Sequence, residues 1–248
     1  MTAIDRLDGK RVLVTGASSG LGRHFAGVLA GAGAEVILAA RRMEALEELA
    51  AEIGPAASCV AMDVTNPASI RAGFAQTGAV DVLVNNAGVS AAHSLLDVNV
   101  EEYDHIMSAN LRGAFLVATE AARGMQASGK GGAIVNVASI LGLRQGGQLT
   151  VYAMSKAGVL QMTKQMGLEL ARYGIRVNAL APGYFATDMN RDFLDSKLGE
   201  AMARRIPQRR FGKFEDLDGP LLLLCSEASR YMTGVVIPVD GGHVLSAL

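Results

Sequence analysis

The feature that most limits how this chain can fold is an alternation of short valine- and isoleucine-rich runs with longer stretches of helical periodicity. Runs at 11–15, 35–40, 58–62, 80–85, 133–138 and 175–181 read as buried strands, and 235–239 reads as a seventh. They lack the polar alternation of a sheet with one wet face, so they predict a parallel sheet covered on both sides. Between them, residues 20–32, 43–53, 67–77, 101–126 and 151–173 read as helices. The last two are apolar all round, which predicts contact with the sheet on one side and with another subunit on the other. Strands and helices in strict alternation give an α/β, doubly wound sheet. The 248 residues, half of them hydrophobic, suit one domain with no linker and no repeat beyond this rhythm.

Residues 187–214 depart from the pattern. They are polar and arginine-rich, carry Phe193, Leu194, Met202 and Ile206, and are interrupted by Pro207. The segment reads as a helical flap over a substrate site, with an ordinary solvated connection as the other reading. Its basic cluster, Arg204, Arg205, Arg209 and Arg210, suits a solvated face or interface ion pairs better than an acidic carrier or coenzyme A.

Over the whole chain charge is balanced, 23 basic against 24 acidic side chains, which argues against a nucleic-acid partner. The two cysteines, Cys59 and Cys225, lie in apolar stretches and read as free buried thiols of a reducing compartment. The first ten residues hold four charges and no apolar stretch, so no signal peptide is expected. The apolar run 221–225 is far too short to span a bilayer. A cytoplasmic protein without membrane contact is the expectation.

The first strand runs into Thr15-Gly16-Ala17-Ser18-Ser19-Gly20-Leu21-Gly22 and then into a helix. Glycines let backbone approach a ligand, and a helix N-terminus offers N–H groups and partial positive charge, so a pyrophosphate suits Gly16, Ser18, Ser19, Gly20, Leu21 and Gly22. A tight turn that binds nothing is the plainer alternative. The second strand ends Ala39-Ala40-Arg41-Arg42. In such sheets this end meets the adenosine ribose, where an acid repels a 2′-phosphate and a guanidinium attracts it. Ala40 stands where the acid would be and Arg41 follows, which favours NADP(H) over NAD(H). Arg42 reads as the start of a solvated helix, and Arg41 has that reading too.

Tyr152 and Lys156 are four residues apart at a helix start, hence on one face, and Ser139 ends a strand thirteen residues earlier. Strand ends point into the ligand crevice, so the three can converge there. Carbonyl reduction needs a hydride donor, a proton donor and a group that polarises the oxygen. A phenol titrates near ~10, and lowering it by roughly three units takes about 4 kcal/mol. One cation at about 4 Å in an effective dielectric near 20 supplies a similar amount. Ser139 has no G-x-S-x-G elbow around it, which disfavours a hydrolase. His24, His93, His105 and His243 show no metal-ligand spacing, so no metal is expected and they read as surface or helix residues.

The chain resembles the short-chain dehydrogenase/reductase family over its whole length. The resemblance rests on the Thr15–Gly22 turn, Asn85-Asn86-Ala87-Gly88, Ser139 with Tyr152-x-x-x-Lys156, and Pro182-Gly183 followed by Thr187. It implies a Rossmann-type domain with Tyr152 as general acid/base, Ser139 bonded to the substrate oxygen, and Lys156 on the nicotinamide ribose. It further implies that Asn110 holds a relay water, Asp63 and Val64 meet adenine, Asn86 lies in the cofactor groove, and Pro182, Gly183 and Thr187 border the nicotinamide. Asp240-Gly241-Gly242 resembles the C-terminal signature, and members are usually tetramers or dimers. Many NADP-dependent members carry a basic residue where this chain has Ser19, which leaves Arg41 as the chief 2′-phosphate contact. Leu141, Gln148, Tyr184 and Phe185 are the expected substrate wall. Within the family the chain resembles 3-oxoacyl-[acyl-carrier-protein] reductases and related sugar or ketone reductases. The expected activity is NADPH-dependent reduction of a ketone or 3-oxoacyl group. NAD-dependent oxidation of a secondary alcohol or polyol is the alternative, and the intact catalytic set argues against a regulator without turnover.

Overall fold

The computed structural model describes residues 6–185 and 196–245. The apolar runs form β1 (Arg11–Thr15), β2 (Glu35–Ala40), β3 (Ala57–Ala61), β4 (Val82–Asn85), β5 (Gly132–Val137), β6 (Ile175–Pro182) and β7 (Val236–Val239). They pair in parallel in one seven-stranded sheet of order β3-β2-β1-β4-β5-β6-β7. The chain steps outward from β1 to β3, then crosses over to lay β4 on the other side of β1. Connections leave β1 and β4 in opposite directions, and the crevice this opens at their carboxyl ends is where such sheets bind ligands.

Alternating side chains cover both faces. Val12 and Val14 meet Phe25 and Leu29 of α1 (Gly20–Gly31), Leu46 and Leu49 of α2 (Met43–Ile53), and Leu221 and Leu224 of α8 (Asp218–Cys225). Leu13 and Ile37 face the other way, against Ile70 of α3 (Pro67–Thr77) and Val117, Ala121 and Met125 of α5 (Ala114–Ser128). A third cluster seats Val159 and Leu160 of α6 (Thr150–Leu170) on Ala138 and Ala179. Each fully buried Leu or Phe contributes about 1.5–3 kcal/mol, so this two-faced burial is what holds the strands in register.

Three elements differ from the sequence expectation. The helix expected over 101–126 is α4 (Val100–Met107), a π-helical turn at Ser108–Gly113, and α5. The wide turn lets the Asn110 side chain bond the backbone of Val89, and a Cβ at Gly113 would stand 2.8 Å from the Val64 carbonyl oxygen. The helix expected to reach residue 173 ends its α form at Leu170 and closes as a 3-10 turn before Gly174, whose φ is +70°. The run 221–225 belongs to α8, whose leucines at 221, 222, 223 and 224 show no polar face for a 3.6-residue period to reveal.

Of the segment 187–214, residues 187–195 lie outside the described residues. The rest holds α7 (Lys197–Ala203) and returns so that Gly212 bridges Phe185. Among the described residues no helix is long and apolar enough to cross a membrane.

Candidate active site

The turn after β1 is packed as tightly as its glycines allow. Gly16 has φ +69°, and a Cβ on it would stand 2.9 Å from the Ala87 Cα. A Cβ on Gly22 would collide with the Gly16 carbonyl oxygen, so only glycine lets α1 sit this close to the turn. At Gly20 a Cβ would meet nothing within 4 Å, so that side of the turn is open. Ser19 takes the N-cap position of α1 with no side-chain cap bond, and the first turn has no acid. In contrast, Asn66 caps α3 and Asn99 caps α4. The N–H groups of Gly20, Leu21 and Gly22 thus keep the partial positive charge of an uncapped helix end. This cradle fits a pyrophosphate.

Asn86 acts across the switch point. Its backbone N–H and that of Ala87 donate to the Thr15 hydroxyl at 3.0 and 3.1 Å, and its Nδ2 donates to the Thr15 carbonyl at 3.0 Å. The side chain expected in the cofactor groove therefore ties the end of β4 to that of β1.

At the end of β2, Ala40 is buried and Arg41 exposed. Arg42 is the N-cap residue of α2, and its Nη2 donates to the Ser18 hydroxyl at 3.1 Å. It thus begins an exposed helix as its place in the sequence suggests, while pairing of β1 with β2 also brings it against the glycine turn. Asp63 accepts from the Thr65 N–H at 2.9 Å and hydroxyl at 2.7 Å. Those two bonds, and more weakly the charge of Arg41, hold its carboxyl below the usual range. Arg41 therefore lies toward Asp63 and Arg42 toward Ser18. Val64 borders the π turn through its carbonyl.

Ser139, Tyr152 and Lys156 come together where β5 ends and α6 begins. The Ser139 hydroxyl accepts from the Leu141 N–H at 3.1 Å and bonds the Tyr152 side chain. Lys156, 5% exposed, donates to the Val137 carbonyl at 2.8 Å with Nζ 5.7 Å from the Tyr152 ring centre. Asn110 is buried; its Oδ1 accepts from the Val89 N–H at 2.7 Å, and its Nδ2 donates to the Val89 carbonyl at 2.8 Å and the Ser155 hydroxyl at 3.1 Å. Its amide is thus fully committed to the scaffold, and a Cβ on Gly88 would stand between it and Lys156. Inside the core, Asn136 bonds both Asn85 and Thr163, locking β4, β5 and α6 together beneath the site.

The electrostatics differ from the sequence expectation. Burial pushes the Tyr152 phenol up, the Ser139 hydrogen bond opposes this, and Tyr184 adds to it. Lys156 is itself pushed down to about 8 by burial. Desolvation outweighs the Ser139 hydrogen bond at Tyr152 and acts unopposed on Lys156, a cost that chain spacing does not reveal.

A cavity of about 650 Å³ opens beside Ile140 and Leu141 and is lined by Tyr184. Of the other expected substrate residues, Gln148 is exposed with φ +62°, and its carbonyl accepts from the His93 N–H at 2.9 Å. Phe185 is buried in the core against Gly212. Pro182 pairs with Val239, and Gly183 donates to the Val239 carbonyl at 2.9 Å, where a side chain would strike Asp240. Thr187 lies outside the described residues. Arg144, Arg204, Arg205 and His243 also line the cavity. His243, read from sequence as a surface or helix residue, is only 7% exposed. No spacing in the chain marks these four as neighbours. His24 bonds Asp218 and His93 bonds Glu102, and no metal-binding group of side chains occurs among the described residues.

A family model described as Enoyl-(Acyl carrier protein) reductase matches residues 16–244. L-rhamnose 1-dehydrogenase (NAD(P)(+)) of Azotobacter vinelandii is 41% identical over 94% of this chain and 96% of its own length. A 3-oxoacyl-[acyl-carrier-protein] reductase of Thermotoga maritima is 39% identical over 97% of this chain and 100% of its own. A gluconate 5-dehydrogenase from Burkholderia cenocepacia, solved in complex with NADP and tartrate, superposes with a TM-score of 0.94 at 37% identity, covering 98% of each chain. Taken with the strand order, the glycine cradle and the Ser139–Tyr152–Lys156 cluster, these similarities establish that the chain belongs to the short-chain dehydrogenase/reductase family and is an NAD(P)-dependent oxidoreductase acting on CH–OH groups.

Proposed function

We propose that this enzyme interconverts a ketone or 3-oxoacyl group and its secondary alcohol with NADP(H). The observation that carries the reading is the bond between the Ser139 and Tyr152 side chains, with Lys156 one helical turn further along α6. When bound, the nicotinamide cofactor gives or takes the hydride. Ser139 and Tyr152 both donate to the carbonyl oxygen, and Tyr152 passes its phenolic proton to that oxygen as it becomes a hydroxyl. Burial keeps the phenol protonated, which suits the donor role in reduction. Lys156 replenishes the proton through the Tyr152 oxygen and holds the ribose. Since the Asn110 amide is committed, what it offers to a relay water is its main-chain carbonyl within the π turn.

Arg41 and Arg42 together favour the 2′-phosphate, since neither a carboxylate nor a bulky side chain stands at Ala40. The NADP-bound relative agrees with this. The name of the rhamnose dehydrogenase, which includes both NAD and NADP, favours sugar or polyol oxidation as a second reading. The protein is a homo-oligomer, in our reading a tetramer, assembled through the outer faces of α4, α5 and α6. Phe115, Met154 and Leu168 are exposed there, at 49%, 49% and 75%.

The test is a panel of ketones, 3-oxoacyl thioesters and sugar alcohols assayed with both cofactors. Tyr152→Phe keeps the ring and removes the proton donor, so kcat falls by roughly 10²–10⁴ while NADPH binding, followed by its fluorescence, stays within a few-fold. Activity close to the parent's would refute the assignment.

A further inference from the structure

The cavity beside the catalytic residues carries charge that hydride transfer does not use. Arg144 lies on one wall, and Arg204 and Arg205, from the end of α7, lie on another. No carboxylate occurs among its described lining residues. Arg204 and Arg205 are in no ion pair among the described residues, whereas nearby Arg210 pairs with Asp216 at 2.6 Å. The arginine cluster that looks uniform in sequence is thus divided, one member neutralised and two turned to the cavity.

His243 closes the same wall. It is only 7% exposed, and its Nδ1 has no hydrogen-bond partner. Arg144 donates to its main-chain carbonyl, and its ring lies 5.6 Å from that of Tyr184. Among the described residues the acid that acts on His243 is Asp240, and its carboxylate is taken up by the backbone N–H groups of Gly242 at 2.9 Å and Val244 at 2.7 Å. A buried polar atom without a partner costs free energy unless a ligand satisfies it, and guanidiniums facing one space favour an anion between them. The cavity touches the chemistry directly, because Ile140 and Leu141 follow Ser139 and Tyr184 is close enough for its phenol to act on that of Tyr152.

Resting on the hydride-transfer reading, we infer that the substrate is a small hydroxy or oxo acid. Its carboxylate is held by Arg205 with Arg204 at the rim, and one of its hydroxyls bonds His243 Nδ1. About 650 Å³ accommodates such an acid with room for the reacting carbon to reach Ser139 and Tyr152.

The experiment compares straight-chain oxo acids, differing in the number of carbons between carbonyl and carboxylate, with their neutral methyl esters in NADPH-dependent reduction. The best acid exceeds its ester in kcat/KM by about 10-fold or more, and Arg205→Ala or Arg204→Ala reduces that ratio, chiefly through KM. Equal turnover of acids and esters, or a ratio unmoved by both variants, overturns the carboxylate site and leaves the hydride-transfer reading intact. No turnover of any acid, ester or sugar alcohol overturns the hydride-transfer reading instead. The carboxylate site is then decided by calorimetry with glutarate in the presence of NADP+: binding weakened by Arg205→Ala supports it, and no binding overturns it.

Discussion

Burial of the Lys156 ammonium lowers its proton affinity from the ordinary 10.5 to about 8. Below pH 8 the folded protein bears the whole cost of a desolvated cation. Between pH 8 and 10.5 the unfolded chain holds a proton that the folded one has released, so stability rises with pH across that window. A shift of this size is worth about 3 kcal/mol. Lys156→Met, which has nothing to titrate, should be inactive. Its stability relative to the parent should fall by up to that amount as pH rises from 8 to 10.5 in denaturant melts; the opposite trend would contradict a buried ammonium. At the end of β2, the proposed NADPH preference predicts that Arg41→Ala and Arg42→Ala each lower kcat/KM for NADPH relative to NADH by about 10-fold. Should Arg42→Ala leave the preference untouched, its guanidinium serves only Ser18.

The turn joining β1 to α1 is where element geometry becomes function. Gly22→Ala drives a methyl into the Gly16 carbonyl oxygen, and neither backbone can yield without moving the helix end. We expect a loss of about 1–3 kcal/mol in stability, with NADPH affinity weakened beyond what that loss explains. Gly27→Ala on the same helix is the control: nothing lies within 4 Å of its Cβ. Removing an interior glycine there should stabilise by about 0.5–1 kcal/mol. Equal behaviour of the two variants in melts and cofactor titrations would show that the turn is not held by that contact. The π turn between α4 and α5 is the second such device, since it is what brings Asn110 onto Val89.

In the whole molecule, the outer faces of α4, α5 and α6 leave a cavity of about 450 Å³ among Met107, Leu111, Phe115 and Met162, with exposed Val100 and Met154 on the same helices. Light scattering should find an oligomer, and Phe115→Glu should shift it toward smaller species; a monomeric parent would rule the assembly out. The chain alone determines the parallel sheet, because an apolar run of β-branched residues has no stable place except between two helical layers. It also determines the glycine turn after β1 and the Tyr152–Lys156 face, since both depend on separations of a few residues along one element. Only the tertiary structure decides contacts that depend on where distant loops meet. Arg42 reaches Ser18 across 24 positions and Arg144 reaches His243 across 99. The depressed Lys156 and the burial of His243 follow from the same cause. Desolvation is set by everything packed around a group, and the packing is known only once the sheet has brought its loops together.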